Sequence, residues 1–285
     1  LGALQAHSPE FYEAVSYRIV EPSSGLRERQ AATLGKFSGK ASWATDLQEL
    51  PDWTGVHFSN ELIDAFPVLR IRWNGTEWQE LYVGLEGGTF TWHEMPLSKS
   101  PALQTRIAQI PMPLPAGYEI EINLAVENWL HEVAVRLKRG WLLAIDYGLP
   151  RAEFFRPDRR GGTLAAYRAH KRVENPLSSP GDVDLTAHVE FTSIAEHANK
   201  YGLQLAGFTD QHHFMVGLSR LHFSDVSGPM SSEHERDLRG FKTLMHPGLL
   251  GMSFKALALS NGVESTAPLA GFAFARDPAQ ELALR

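Results

Sequence analysis

The chain has 285 residues, 43% of them hydrophobic and 21% charged, with a net charge of −6. That length can bury a sizeable core, and no basic stripe is concentrated enough for a nucleic-acid groove. The absence of cysteine excludes disulfides, zinc-thiolate centres and a cysteine nucleophile, and no apolar run is long enough to span a bilayer.

In chain order, residues 1–5 read as the end of a helix already under way, with neither a signal nor a transit pattern. Segments preceding Leu1 in the natural protein are therefore expected to be absent from this sequence. Ser8-Pro9-Glu10 reads as a cap and restart. Residues 17–21 are a strand running straight into Glu21, and Pro22-Ser23 closes it. Residues 26–34 have helical spacing, and 43–50 read as a short connection carrying Asp46. Residues 56–58 form an apolar strand that ends in a polar knot of Ser59, Asn60, Glu61 and Asp64, stopped by Pro67.

Residues 68–73 and 77–85 read as strands joined at Asn74-Gly75, a hairpin signal, and 90–94 extends that sheet. Residues 96–115 are punctuated by proline and read as a loop or lid over short helical pieces. Residues 121–138 show helical spacing of Ile122, Ala125, Trp129, Val133 and Leu137, with Gly140 as the stop. Residues 141–148 are an apolar strand of the kind buried on both faces, ending in Asp146-Tyr147-Gly148. Residues 149–181 read as a long loop with a short helix, followed by a segment over 184–191. A helix over 192–201 is capped at Thr192 or Ser193 and closed by Gly202. Then come a strand at 203–209, helices at 214–221 and 233–244, a strand at 254–259, and a weakly structured tail after Val263. Alternating strands and helices predict an α/β fold with a mostly parallel sheet flanked by helices, plus one antiparallel hairpin and helical or loop insertions.

Three strand ends carry acids: Glu21, the Asn60/Glu61/Asp64 knot, and Asp146. In open α/β sheets ligands bind beyond the carboxyl ends of strands, where an acid can hold ribose hydroxyls. Capping a turn would account for Asn60 and Asp64 equally well, and turn stabilisation for Asp146 and Tyr147. His188 reads as a core or loop histidine as readily as a catalytic one. Adjacent His212 and His213, taken as strand residues, would point to opposite faces, so no metal site is expected. No Gly-x-Ser-x-Gly elbow and no Walker loop is present.

Several motifs occur in a fixed order: Val20-Glu21-Pro22-Ser23, Asn60-Glu-x-x-Asp64-Ala-x-Pro67, Ile145-Asp146-Tyr147-Gly148, and Gly162-Thr163-Leu164 with Tyr167-Arg168 and His170. Asp184-Leu185-Thr186-Ala187-His188-Val189 and Gly251-Met252-Ser253-Phe254-Lys255 complete the set. Together they resemble the MidA family, also called the mitochondrial complex I assembly factor 7 family, of S-adenosylmethionine-dependent methyltransferases. The resemblance covers the chain from Tyr17 to Val263. It implies a Rossmann-like class I methyltransferase domain over 1–285, with insertion or lid segments at 96–120 and 149–183. It also implies S-adenosylmethionine as cofactor, S-adenosylhomocysteine as product, and a protein substrate methylated on arginine, with complex I as the target class. Location would be cytoplasmic in a bacterium and the mitochondrial matrix in a eukaryote, with no membrane span. The oligomeric state is left open.

One departure is the family's glycine-rich loop, which should lie before Leu1 and has no replacement elsewhere in the sequence. By resemblance, Glu21, Pro22, Ser23, Asp46, Leu47 and Asn60 would contact cofactor. Glu61 and Asp64, with His188, would serve catalysis, and Asp146, Tyr147 and Tyr167 would contact substrate. The rival reading is a non-catalytic assembly factor that holds a protein partner in the same cleft.

Overall fold

A computed structural model describes residues 1–169, 171–222, 232–263 and 267–284, so His170 of the motif set lies outside the described residues. The chain divides into two compact units, Leu1–Trp53 and Thr54–Arg285.

The first unit holds α1 (Gly2–His7), α2 (Pro9–Ala14), β1 (Tyr17–Val20), α3 (Ser24–Thr33) and β2 (Ala41–Ala44). Pro9 at the first turn of α2 makes the restart that Ser8-Pro9-Glu10 suggests. Ser23 caps α3, its Oγ accepting the Leu26 N–H at 3.4 Å. β1 and β2 pair in parallel, from Tyr17 opposite Ala41 to Val20 opposite Ala44. The stretch read as a connection over 43–50 therefore begins inside a strand. Asp46 then caps a short 3₁₀ turn, Leu47–Glu49, accepting the Gln48 N–H at 2.8 Å.

The second unit opens with β3 (Trp53–Asn60), whose first residue ends the first unit, and β4 (Leu69–Trp73), β5 (Trp78–Glu86), β6 (Thr89–Pro96), α4 (Pro101–Ile107) and β7 (Tyr118–Ile122). The Asn74-Gly75 hairpin is present. Asn74 Oδ1 accepts the N–H groups of Thr76 and Glu77, and Gly75 sits at φ +108°. Strands β6-β5-β4-β7 make an antiparallel sheet in that order. Its inner face packs Ile71, Tyr118, Ile120 and Ile122 against Leu103 of α4. The helix expected over 121–138 starts only at α5 (Ala125–Arg136). Tyr118-Glu119-Ile120-Glu121-Ile122 alternates with period two, which is strand spacing.

Next are β8 (Leu137–Leu149), α6 (Arg151–Phe154), β9 (Ala165–Arg168), β10 (Lys171–Val173), β11 (Asp184–Thr186), β12 (Val189–Glu190), α7 (Phe191–Lys200), β13 (Gln204–Asp210), α8 (Gln211–His222), α9 (Ser232–Met245), β14 (Phe254–Asn261) and α10 (Pro278–Glu281). The segment 149–181, read as a long loop with a short helix, holds the short helix α6 but also carries two strands of a small antiparallel sheet, β10-β9-β11. Helix α7 is capped by Glu190, which accepts the Ser193 N–H, rather than by Thr192 or Ser193. Gly202, at φ +81°, closes it as expected. His212 and His213 lie on a helix, not a strand, and pair with the Met245 carbonyl and Asp210.

The central sheet is mixed, where a mostly parallel one was expected. β14 lies between β8 and β13 and is antiparallel to both, β12 is parallel to β8, and β3 also pairs with β8. Gly55 meets Gly140, and the Glu61 N–H reaches the Ile145 carbonyl at 3.0 Å, so β3 and β8 ascend together. Gly140 is not a helix stop but lies inside β8. Its φ is +139°, and a Cβ there would fall 1.9 Å from the Gly55 carbonyl oxygen.

Along β8, Leu142, Ala144, Asp146 and Gly148 alternate onto the fully buried face, whereas Leu143 and Ile145 pack with Phe214 and Phe272 on the other. The tail is not loose either. Phe272 and Leu282 are buried, and the Leu282 carbonyl accepts from Thr192 Oγ1 at 3.0 Å.

Candidate active site

Strand β3 delivers the chain to the centre of the second unit. Ser59 is buried, while Asn60 and Glu61 are exposed. The Glu61 N–H makes the last rung to Ile145, and the backbone then turns with Glu61 at φ +48°. A residue with a Cβ in that region stores strain of order 1–3 kcal/mol and needs its surroundings to hold it.

Three segments do so. Asp146 Oδ2 accepts the N–H groups of Leu62 at 3.2 Å, Ile63 at 2.8 Å and Asp64 at 3.4 Å, while Oδ1 accepts the Tyr147 N–H at 2.8 Å. Asn123 Nδ2 donates to the Ile63 carbonyl at 3.2 Å, and the Ala187 N–H to that of Asp64 at 2.9 Å. Successive N–H groups converging on one oxygen make a backbone nest for an anion.

The electrostatics follow from burial. Asp64 is 5% exposed, and its Oδ1 has no hydrogen-bond partner. Burial first, then the charges of Glu61 and Asp184, push its carboxyl up to about 6. Burial and then the Asp64 charge push Asp146 up to about 7, against the backbone N–H bonds that favour its ionised form. Two buried acids are thus both raised toward neutrality, and Asp146 is raised in part by Asp64.

Tyr147 neighbours two rings. His188 stacks at 6.5 Å with an interplanar angle of 19°, and Phe254 lies at 3.7 Å. Burial, then Glu61, Asp64 and Tyr167, push the Tyr147 hydroxyl up to about 12. Burial and the Arg159 guanidinium, 3.5 Å from Nδ1, lower the His188 pKa and favour a neutral ring. Tyr167 of β9 lies opposite Asp184 of β11. The result is an aromatic wall beside acids, an arrangement suited to a planar cation.

Behind this wall, Thr163 donates from N and Oγ1 to Glu121 Oε2, at 2.7 and 2.9 Å, and its Oγ1 accepts the His188 N–H at 3.0 Å. Gly162 makes the approach feasible. At φ +69°, a Cβ there would fall 2.4 Å from Glu121 Oε1.

In the first unit, Glu21 and Asp46 follow β1 and β2 at their carboxyl ends. Glu21 Oε1 accepts the Ser23 N–H at 3.0 Å and Oε2 accepts Gln30 Nε2 at 3.1 Å. Gln30 is itself held by Trp43 Nε1 at 2.9 Å. A carboxylate has about four acceptor sites, so Glu21 is oriented and retains capacity for a diol.

Of the residues singled out in the sequence, Glu61, Asp64, Asp146, Tyr147, Tyr167 and His188 gather in the second unit, with Asn60 adjoining. Glu21, Pro22, Ser23, Asp46 and Leu47 belong to the first. Asp146, expected against substrate, is 1% exposed and occupied by backbone. Asp184, Thr163, Glu121, Arg159 and Phe254 had been given no role. All but Glu121 and Arg159 stand within the ordered motifs.

Comparison with known proteins identifies a family and a fold neighbour. Residues 1–209 match the family described as "Putative S-adenosyl-L-methionine-dependent methyltransferase". The chain is 28% identical over 260 residues to "Protein arginine methyltransferase NDUFAF7 homolog, mitochondrial" of Drosophila melanogaster, covering 87% of this chain and 56% of that protein. It is 25% identical over 279 residues to the Homo sapiens protein arginine methyltransferase NDUFAF7, covering 86% and 58%. The chain thus spans little more than half the length of these relatives. A Burkholderia thailandensis crystal structure bound to S-adenosyl-homocysteine superposes with a TM-score of 0.81 at 30% identity, covering 90% of this chain and 66% of that one.

Proposed function

This chain belongs to the S-adenosyl-L-methionine-dependent methyltransferase family whose pattern it matches, and from that premise we propose that it methylates a protein side chain, arginine, from S-adenosylmethionine. The observation that carries the reading is the site in the second unit, where acids crowd beside a His188–Tyr147–Phe254 aromatic wall. The relatives named as protein arginine methyltransferases and the S-adenosyl-homocysteine-bound neighbour support it. The mixed sheet with its flanking helices supports a Rossmann-like class I methyltransferase fold, with 96–120 and 149–183 as lid segments.

The residues fit the group. In the first unit, Glu21 has lone pairs left for the ribose hydroxyls, and Pro22, Ser23, Asp46 and Leu47 flank the same strand ends. The bound cofactor supplies a methyl group already activated on a sulfonium. The chain itself must bind and align the acceptor, exclude water and take up a proton. Glu61 pairs with the guanidinium, which carboxylates recognise in a planar fork. Asp64, pushed up to about 6 and with Oδ1 free of partners, is a stronger base than an ordinary aspartate and accepts the proton. Tyr147, Tyr167 and His188 hold the plane of the acceptor.

By the resemblance to the complex I assembly factor 7 family, the partner is a polypeptide of respiratory complex I or its assembly; the relatives' names place them in mitochondria. A bacterial chain would act in the cytoplasm. No helix among the described residues is long and apolar enough to cross a membrane.

The test uses full-length protein. Calorimetric titration with S-adenosylhomocysteine should give micromolar binding that Glu21→Ala removes. Tritiated S-adenosylmethionine added to lysate from a deletion strain should label a polypeptide that yields methylarginine on hydrolysis. Absence of both binding and label would overturn the reading.

A further inference from the structure

Among the described residues Asp146 is the least exposed acid, and the arrangement around it is unlike that of a ligand-contacting group. It is 1% exposed, on the same buried face of β8 as Leu142 and Ala144. Both carboxylate oxygens are committed to backbone N–H groups, three from residues 62–64 and one from Tyr147. The turn it holds is the one that leaves Glu61 at φ +48°, with the Glu61 side chain exposed and Asp64 inward.

We propose that Asp146 is a positioning residue: its carboxylate clamps the 62–64 turn and so sets where Glu61 and Asp64 present their acids, without touching acceptor or cofactor. A left-handed residue with a Cβ persists only where contacts over-determine it. Here an acid on β8 supplies three bonds to the turn, and single bonds from Asn123 and Ala187 complete the hold. Glu61 itself makes one backbone rung, to Ile145, and its Oε1 accepts only from neighbouring Asn60 at 3.2 Å. With the clamp released, the turn keeps only the single bonds to the Ile63 and Asp64 carbonyls and the Glu61 rung, while the N–H groups of 62–64 lose their acceptor. The same oxygens cannot also pair with a guanidinium, since that would take them from the turn. Of the charged groups around it, Asp64 raises Asp146 and is itself raised by Glu61 and Asp184, while Lys255, opposite Asp146 on β14, donates its Nζ to the Met252 carbonyl at 2.9 Å.

The inference rests on the reading of Glu61 as the group that faces the acceptor, and Glu61→Gln is therefore the control. Three full-length variants are compared, Glu61→Gln, Asp146→Asn and Asp146→Ala. Methyl transfer is measured to the polypeptide labelled in the deletion-strain lysate, alongside S-adenosylhomocysteine affinity and amide hydrogen exchange at residues 62–64. An asparagine keeps a carbonyl oxygen for the turn but carries no charge. Asp146→Asn is expected to retain at least about a tenth of wild-type kcat, with 62–64 still protected.

Asp146→Ala is expected to lose roughly 100-fold or more in kcat, to keep S-adenosylhomocysteine affinity within about threefold, and to exchange 62–64 rapidly. If Asp146→Asn falls as far as Asp146→Ala while 62–64 stay protected, Asp146 acts by its charge and the inference is overturned. If Asp146→Ala folds and leaves both kcat and protection unchanged, it is overturned as well. Should Asp146→Ala fail to fold, Asp146→Asn decides alone: kcat reduced as much as in Glu61→Gln would sink the clamp. Full activity of Glu61→Gln would instead sink the underlying reading of the site.

Discussion

Asp64 shows how a fold turns an ordinary residue into a site. The turn puts it at 5% exposure, with Glu61 and Asp184 nearby and Oδ1 unpartnered, and its carboxyl rises from 3.8 to about 6. A folded-state pKa above the unfolded one means that the native state holds the extra proton between about pH 4 and 6, so stability falls as pH rises through that window. At 1.36 kcal/mol per unit, the rise corresponds to roughly 3 kcal/mol. Asp64→Asn is therefore expected to gain about 2 kcal/mol at pH 8 and to lessen the slope between pH 4 and 6, leaving the part that the raised Asp146 contributes. Urea denaturation at several pH values checks this, and an unchanged slope would refute it. If Asp64 takes the proton, methyl transfer in the wild type should also climb through about pH 6, a limb that Asp64→Asn lacks. Glu61, Asp64 and Asp146 were legible in the sequence because acids directly after apolar strands stand out. That Asp146 faces inward was not, since the run 141–148 is apolar at nearly every position and hides which alternate face is the deeper one.

At the scale of elements, two glycines carry close approaches. A Cβ at Gly140 would strike the Gly55 carbonyl in backbone, not side chain. Gly140→Ala should therefore cost about 3 kcal/mol, since neither strand can give way cheaply. Gly162→Ala should cost about 2 kcal/mol through its left-handed φ and the displacement of Glu121. It should also loosen His188, read as faster exchange of the His188 amide bonded to Thr163. Parity of both variants with wild type in thermal melts would show that the backbone relaxes instead. These elements were read unevenly from sequence. The Asn74-Gly75 hairpin was plain because turn chemistry is local. Gly140 was misread as a helix end because its reason lies on β3, some 85 residues earlier by subtraction of the two positions. The end of strand β7, Glu121-Ile122, was absorbed into the following helix because Ile122, Ala125 and Trp129 also fit a helical period. The tail was read as loose because the burial of Leu282 against α7 leaves no periodic trace. Leu282→Ala should cost about 2–5 kcal/mol, as for other fully enclosed leucines.

At the scale of the whole molecule, α/β architecture was legible from the alternation of strands and helices, but strand direction was not. Apolar run length does not say whether β14 enters the sheet parallel or antiparallel. The two units differ in how much they enclose. Leu1–Trp53 buries Tyr12, Phe37, Ala41, Ala44 and Leu47, whereas the second unit encloses both faces of β8 and β14. Amides of β1 and β2 are thus expected to open at lower free energy than those near Leu142 and Leu257, in native-state hydrogen exchange. Equal protection would show one cooperative unit. The turn at 62–64 is held by Asn123, Asp146 and Ala187, which the ribosome delivers long after the turn itself. Ala187 follows Asp64 by 123 positions (187 − 64), so at 5–20 residues per second about 6–25 s pass between their syntheses. Until Asp146 is synthesised the nascent chain carries Glu61 and Asp64 without the carboxylate that aims them, and until Ala187 without the last bond of the turn. Competence for catalysis is consequently a late event of biosynthesis, and truncation by a premature stop codon before Ala187 would yield a protein with every proposed acid present and the turn incompletely held.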